Sequence, residues 1–267
     1  MTSPIEPRTA SLYHASRATV VEPAVAGGIA MAAIASYLLV PALVPVGIAM
    51  LIAQVMLVVI SAGAVIIGRL GRPLAVLGLR GAQPRFFVAA IAIGATAWFV
   101  NFWMVSLLPL PVHEAKVLEA LVERPSLGVA IALFAVVPAV CEEILFRGVL
   151  ARALAGRWSL VGAAAMSALV FAAYHLSIVQ ALPTLTLGFL LAVIAIRADS
   201  VLPTIVAHAL NNTMAIVISR GEWPVVAGWL AGHPAIALAG CATTTALGLV
   251  IACGGRAGRL AGSPDRR

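Results

Sequence analysis

Apolar runs of about twenty residues recur along this 267-residue chain and leave it few folds to choose from. Eight can be read, at about 24–43, 46–68, 86–108, 127–150, 160–176, 182–196, 200–219 and 225–253, the sixth being short with soft limits. About twenty apolar residues in a helix cross the roughly 30 Å of bilayer hydrocarbon. Hydrophobic residues make up 62% of the chain and charged ones only 10%, which places it outside the range of soluble globular domains. The sequence predicts an all-α, polytopic transmembrane helical bundle of about eight spanning helices, filling 24–253 as one domain. A segment at 1–23 and a basic tail at 254–267 flank it. No soluble catalytic domain, low-complexity linker or signal peptide is evident.

Charge orients such a bundle. With the N-terminus cytoplasmic and eight spans, fourteen of the seventeen basic residues fall on the cytoplasmic side, and only Lys116, Arg124 and Arg220 fall outside. Basic residues near span ends favour the cytoplasm, so both termini are expected there, in a multi-pass cell-membrane protein. The net charge of +7 then reflects topology and attraction to anionic lipid rather than nucleic-acid binding, for which no basic domain exists. Glu114, Glu119 and Glu123, in the outer segment between the third and fourth runs, suit an amphipathic surface helix. Sixteen arginines to one lysine suggest a GC-rich bacterial gene. Cys141, Cys241 and Cys253 show no metal-ligand spacing and read as apolar fillers.

Within the fourth run stand Glu142, Glu143 and Arg147. Three ionised residues at depth cost about 8–10 kcal/mol on insertion scales. The thirteen Leu, Ile, Val and Phe residues between Leu127 and Leu150 return about 4–8 kcal/mol. As a lone lipid-facing helix the segment scarcely inserts; it is reasonable if its carboxylates face protein or water. Intramembrane ionisable groups are functional-site candidates for that reason.

Other polar residues at depth are few: Gln54, Asn101, His175 at the end of the fifth run, and His208 with Asn212 in the seventh. Residues four apart share a helix face, so Glu143 pairs with Arg147, while Glu142, about 100° round the helix, is left as the free carboxylate. His208 and Asn212 share a face, as do Phe171 and His175. One carboxylate, two imidazoles and an amide make a hydrolytic set of base, water positioner and oxyanion donors. Counting along each run places Glu142 roughly 20 Å, His175 roughly 24 Å and His208 roughly 12 Å from the cytoplasmic ends, so convergence depends on tilt and on where helices end. Pro138, one turn before Glu142, removes a backbone N–H. The site is expected to open toward the cytoplasm, with Arg147 near the interface where it can snorkel.

Taken in order, Glu142-Glu143-x-x-x-Arg147, Phe171-x-x-x-His175 and His208-x-x-x-Asn212 resemble the three motifs of the CPBP family. That family comprises intramembrane glutamic endopeptidases: the type II CAAX prenyl proteases and the bacterial Abi, or bacteriocin-processing, proteins. The resemblance covers about Ser126 to Ser219 and extends to wording such as Glu142-Glu143-Ile144-Leu145-Phe146-Arg147-Gly148. It implies Glu142 as the base that activates a water, with His175 helping to hold it. It further implies His208 and Asn212 as oxyanion stabilisers, Arg147 as the group orienting the glutamates, no cofactor, and a membrane-associated peptide or protein substrate.

Other chemistries fit less well. An intramembrane aspartyl protease needs two aspartates in the spans, and Asp199 and Asp265 lie outside them. The one His-Glu step, His113-Glu114, does not continue to a second histidine, and no Gly-x-Ser-x-Gly elbow is present. Zinc held by His175, His208 and Glu142 stays open as an alternative. So does a non-catalytic binding or immunity role. A transporter would call for two related halves, whereas the polar residues cluster in the C-terminal half.

Overall fold

The structure, a computed structural model, describes residues 46–67, 73–109 and 111–255. Its regular elements are all helical: α1 (Val46–Ile67), α2 (Pro73–Val76), α3 (Pro84–Ser106), α4 (Val112–Glu123), α5 (Leu127–Ala155), α6 (Leu160–Tyr174), α7 (Ile178–Ala198), α8 (Leu202–Ser219), α9 (Pro224–Gly232) and α10 (Pro234–Cys253). Among the described residues α3, α5, α7, α8 and α10 are long and apolar enough to cross a membrane, and α1 and α6 hold shorter apolar stretches. The run at 24–43, the segment at 1–23 and most of the basic tail lie outside the described residues.

Two runs depart from expectation. The eighth is two helices, because the chain leaves helical geometry at His233 (φ −132°, ψ 52°). Pro234 follows it, and a residue before proline is pushed out of the α region. The sixth is longer than expected and begins at Ile178, with Ser177 capping it through a bond from the Gln180 amide. Pro183 does not end α7, as bilayer helices tolerate proline. The acidic segment forms α4, the expected surface helix.

Lipid tails are as apolar as leucine, so membrane helices associate through close packing and polar contacts rather than through the hydrophobic effect. Small residues accordingly mark the crossings. The central helix α3 packs on α7, α8 and α10. At its crossing with α8, a Cβ added at Gly94 would lie 2.5 Å from the Ala207 carbonyl oxygen, so only glycine permits this approach. Gly148 plays the same part where α5 meets the Leu77 backbone.

The two ends of the bundle differ in charge. One end carries Arg80, Arg85, Arg152, Arg157 and Arg197 and, among the described residues, one carboxylate, Asp199, which pairs with Arg80 and Arg152. This basic end is knit by Arg152 on α5, which reaches Asp199, Val76 and Ala75, and by the Val201 amide donating to the Gly78 carbonyl. At the far end lie α4, the loops beside Ser177 and Ser219, and α9. There Arg220 Nη1 donates to the carbonyls of Val122 (2.8 Å), Pro125 (2.9 Å) and Glu123 (3.1 Å), and Ser177 meets Glu114. Together these contacts pin α4 across the far end.

Candidate active site

The fourth run folds as one rod whose winding changes twice. Ala132–Val136 and Glu143–Ala151 are π-helical, with α-helical Val137–Glu142 between them. π turns are rare and recur at functional sites. Glu142 and Glu143 therefore sit where α winding gives way to π winding, a feature that residue spacing does not reveal.

Despite the altered winding, the expected pair forms: Arg147 Nη1 lies 2.8 Å from Glu143 Oε1, with both side chains fully buried. The contact is ionic, without hydrogen-bond alignment at the guanidinium. That guanidinium lies over the Phe171 ring, 4.1 Å from its centroid, a cation–π contact in a dry setting. Arg147 is thus too deep to snorkel, because α5 continues to Ala155 and carries it inside the bundle.

Glu143 has a second partner that spacing did not suggest. His208 Nδ1 is 2.9 Å from Glu143 Oε1. A carboxylate only accepts, so Nδ1 carries the proton and the ring's Nε2 is turned the other way. Nε2 stands 3.8 Å from Glu142 Oε2, beyond hydrogen-bonding distance. Glu142 Oε1 accepts from Gln54 Nε2 on α1 at 2.7 Å, between two buried side chains. Glu142 Oε2 has no hydrogen-bond partner among the described residues. Glu142 is therefore half-held, with one oxygen fixed and the other aimed past His208. Gln54 had stood out only as a polar residue at depth; it belongs to the site through a contact spanning 88 positions of sequence.

His175 is the C-cap residue of α6, where its Nδ1 donates to the Phe171 carbonyl at 2.9 Å. Its ring meets Phe171 edge to face at 4.7 Å, and the same Phe171 ring meets His208 at 6.1 Å. Phe171 is the aromatic wedge that spaces both imidazoles and carries Arg147 behind them.

The amide pair is arranged differently from expectation. Asn212 Nδ2 donates to the Phe134 carbonyl at 3.1 Å, and Asn211 Nδ2 donates to Asn212 Oδ1 at 3.1 Å. An α-helical N–H at position 138 would have bonded Phe134, and proline has none. Pro138 thus leaves a carbonyl that fixes Asn212, which keeps one amide hydrogen unassigned.

An apolar cavity of about 800 Å³ adjoins these groups, with Phe171, His175, His208, Asn211 and Asn212 in its wall. Glu142 is 4% exposed and lies behind His208 rather than on the wall. The cavity runs to the far end of the bundle, at Val105, Val122 and Ser219, and not to the basic end as expected. Among the described residues, no three His, Cys, Asp or Glu side chains are grouped to hold a metal ion. Cys141 is buried next to Glu142 and makes no disulfide.

Among known proteins, residues 124–214 match the family described as type II CAAX prenyl endopeptidase Rce1-like. Neither the curated proteins nor the solved structures contain a match. The matched stretch runs from just before α5 into α8. It contains Glu142, Glu143, Arg147, His175, His208 and Asn212, while Gln54 lies outside it. The match spans about a third of the chain, and over it the chain is similar to the CAAX-protease family that its three motifs resemble.

Proposed function

We propose that the protein is an intramembrane endopeptidase of glutamic type, cleaving a peptide bond in a membrane-associated substrate without a metal. One observation carries this most directly: Glu142 is buried and fixed at one oxygen by Gln54, and its other oxygen has no hydrogen-bond partner among the described residues. A buried acceptor of this kind is costly to maintain and is characteristic of a reactive site.

In this reading a water enters between Glu142 Oε2 and His208 Nε2, a 3.8 Å gap that one bridging water can span. Glu142 takes a proton from that water as its oxygen attacks the scissile carbonyl carbon. The carbonyl oxygen becomes an oxyanion, met by the second Asn212 amide hydrogen, while His208 Nε2, an acceptor in this tautomer, holds the water's remaining hydrogen. The proton on Glu142 then passes to the departing nitrogen, the C–N bond breaks, and a carboxylic acid and an amine leave. Glu143 does not attack. It holds His208 in the required tautomer and is itself held by Arg147. His175, anchored to the Phe171 carbonyl, presents its Nε2 side toward the cavity and helps to confine the water.

The test is cleavage of a peptide library by purified protein in detergent, beside Glu142→Gln and after prolonged chelation. Cleavage that survives chelation and disappears in Glu142→Gln supports this function. Activity lost on zinc removal and restored on its return would favour a metalloprotease built on the same residues. Binding of peptides without turnover would point to a non-catalytic immunity role.

A further inference from the structure

The cavity runs from mid-bundle, at His208, to one end. Its walls come from the C-terminal parts of α3 and α6, α8 from His208 onward, the N-terminal part of α7, and α9, with Val122 of the pinned helix α4 at its mouth. All of these lie toward the far end, where Lys116, Arg124 and Arg220 are outnumbered by Glu114, Glu119, Glu123 and Glu222. The opposite end carries five arginines and one aspartate among the described residues. Positive residues at span ends mark the cytoplasmic side, and acidic ones weigh little in that rule. The charge asymmetry that orients the chain therefore turns the cavity away from the cytoplasm. The wall itself has no Lys, Arg, Asp or Glu among the described residues. Trp98, Phe99, Phe102 and Trp103 line it on the α3 side, with Gln180 and Thr184 as neutral polar points opposite. Aromatic residues with a polar edge favour the interfacial zone of a bilayer, which suits a mouth at that depth.

We propose that the site is loaded from the extracytoplasmic side, by an uncharged apolar peptide segment in the outer half of the membrane. This rests on the endopeptidase function proposed above for the choice of a peptide, but not for the side of entry. A charged segment would leave water for a wall that offers it no counter-ion.

Side-specific labelling tests it in the full chain, with Cys141, Cys241 and Cys253 replaced by alanine. Single cysteines are placed at Thr184→Cys in the cavity, Ser219→Cys at its mouth, Glu119→Cys on α4 and Arg157→Cys at the basic end. Sealed vesicles of known sidedness are treated with a membrane-impermeant maleimide. Thr184→Cys, Ser219→Cys and Glu119→Cys are expected to react from the extracytoplasmic side and Arg157→Cys from the cytoplasmic side. Reaction of Thr184→Cys and Ser219→Cys from the Arg157 side, or from neither, overturns the proposal, as does an exchange of sides between Glu119→Cys and Arg157→Cys. In a second arm, a capped Ala-Leu-Phe-Leu-Ala peptide is expected to slow labelling of Thr184→Cys. The same peptide with aspartate for phenylalanine should protect at least about tenfold less well, because an ionised side chain at membrane depth is disfavoured by more than that ratio. Equal protection by both peptides, or protection by neither, overturns the apolar specificity. Labelling requires no turnover, so an inactive protein labelled from outside refutes the endopeptidase function alone, and an active one labelled from the cytoplasm refutes only the side of entry.

Discussion

Two arginines on α5, Arg147 and Arg152, are both inaccessible to solvent and five residues apart, yet they sit in opposite kinds of environment. Arg152 directs Nε to Asp199 Oδ1 (2.9 Å), Nη1 to the Val76 (2.8 Å) and Gly148 (3.1 Å) carbonyls, and Nη2 to the Ala75 carbonyl (3.1 Å). Asp199 in turn is shared with Arg80 and ends α7 in a left-handed conformation (φ 52°). That cluster ties α2, α5 and α7 into one closed corner. Among the described residues Arg147 has one ionic contact and the Phe171 face, and Glu142 Oε2, Gln54 Oε1 and Asn211 Oδ1 have no hydrogen-bond partner. Each buried unmatched polar atom costs about 1–3 kcal/mol. The basic end thus uses charge to fasten helices. The middle of the bundle keeps charge under-coordinated, where a water and a peptide carbonyl can complete it. Within one helix the degree of hydrogen-bond satisfaction, rather than the presence of charge, separates scaffold from chemistry.

The sharpest way to break this contrast is at Glu142. Glu142→Gln is expected to reduce turnover by about 10²–10⁴, the usual contribution of a general base, with thermal stability close to that of the parent. The amide is less costly to bury than a carboxylate and can still accept from Gln54. Retention of substantial cleavage in a working assay would falsify the assignment of Glu142 as base.

Next in size come the two arginines. Arg152→Ala takes a charged donor from three carbonyls and leaves Asp199 with Arg80 alone; at about 1.5–3 kcal/mol for each hydrogen bond to a charged group, it is expected to destabilise by about 3 kcal/mol or more, read as an early unfolding transition in detergent. Arg147→Ala strands Glu143 and should cost a similar amount. Lysine separates the two positions. At 147 a point charge replaces a point contact, so Arg147→Lys should recover most of the stability while activity stays low, because Glu143 and His208 are no longer held in place. At 152 a lysine cannot reproduce the planar fork, so Arg152→Lys should remain destabilised. If lysine rescues both positions equally, the distinction drawn between the two clusters is wrong.

Much of this was legible in the residues because it is local. The Glu143–Arg147 pair follows from four-residue spacing, and the apolar runs gave the helices of the described region in order. The division at His233 was signalled by Pro234 and passed over because the apolar composition continues through it. What stayed hidden is long-range. The bonds from Gln54 to Glu142 and from His208 to Glu143 join positions 88 and 65 apart, and no periodicity records which helix faces will meet. The side on which the cavity opens was also hidden, because it depends on which end of the bundle closes. Here Arg152 and Asp199 fasten helices together at the basic one. The π winding at Glu143 leaves no trace in spacing that assumes an α-helix.

The smallest expected effect falls on the contact that spacing could not show. Gln54 donates to Glu142 Oε1 at 2.7 Å from a helix outside the matched domain, so it is a positioning residue and not one that meets substrate. Gln54→Leu keeps the bulk and removes the donor. A hydrogen bond to a charged group contributes about 1.5–3 kcal/mol, so kcat should fall by roughly 10–150-fold if the bond acts mainly in catalysis. KM should move little, because the cavity wall is untouched. A purely structural role would instead appear as lost folded protein with kcat per active molecule unchanged. The double variant with Glu142→Gln separates the two outcomes. If Gln54 acts through the Glu142 carboxylate, adding Gln54→Leu to Glu142→Gln lowers the residual rate no further, whereas independent roles multiply. Multiplicative losses would return Gln54 to the scaffold, alongside Arg152.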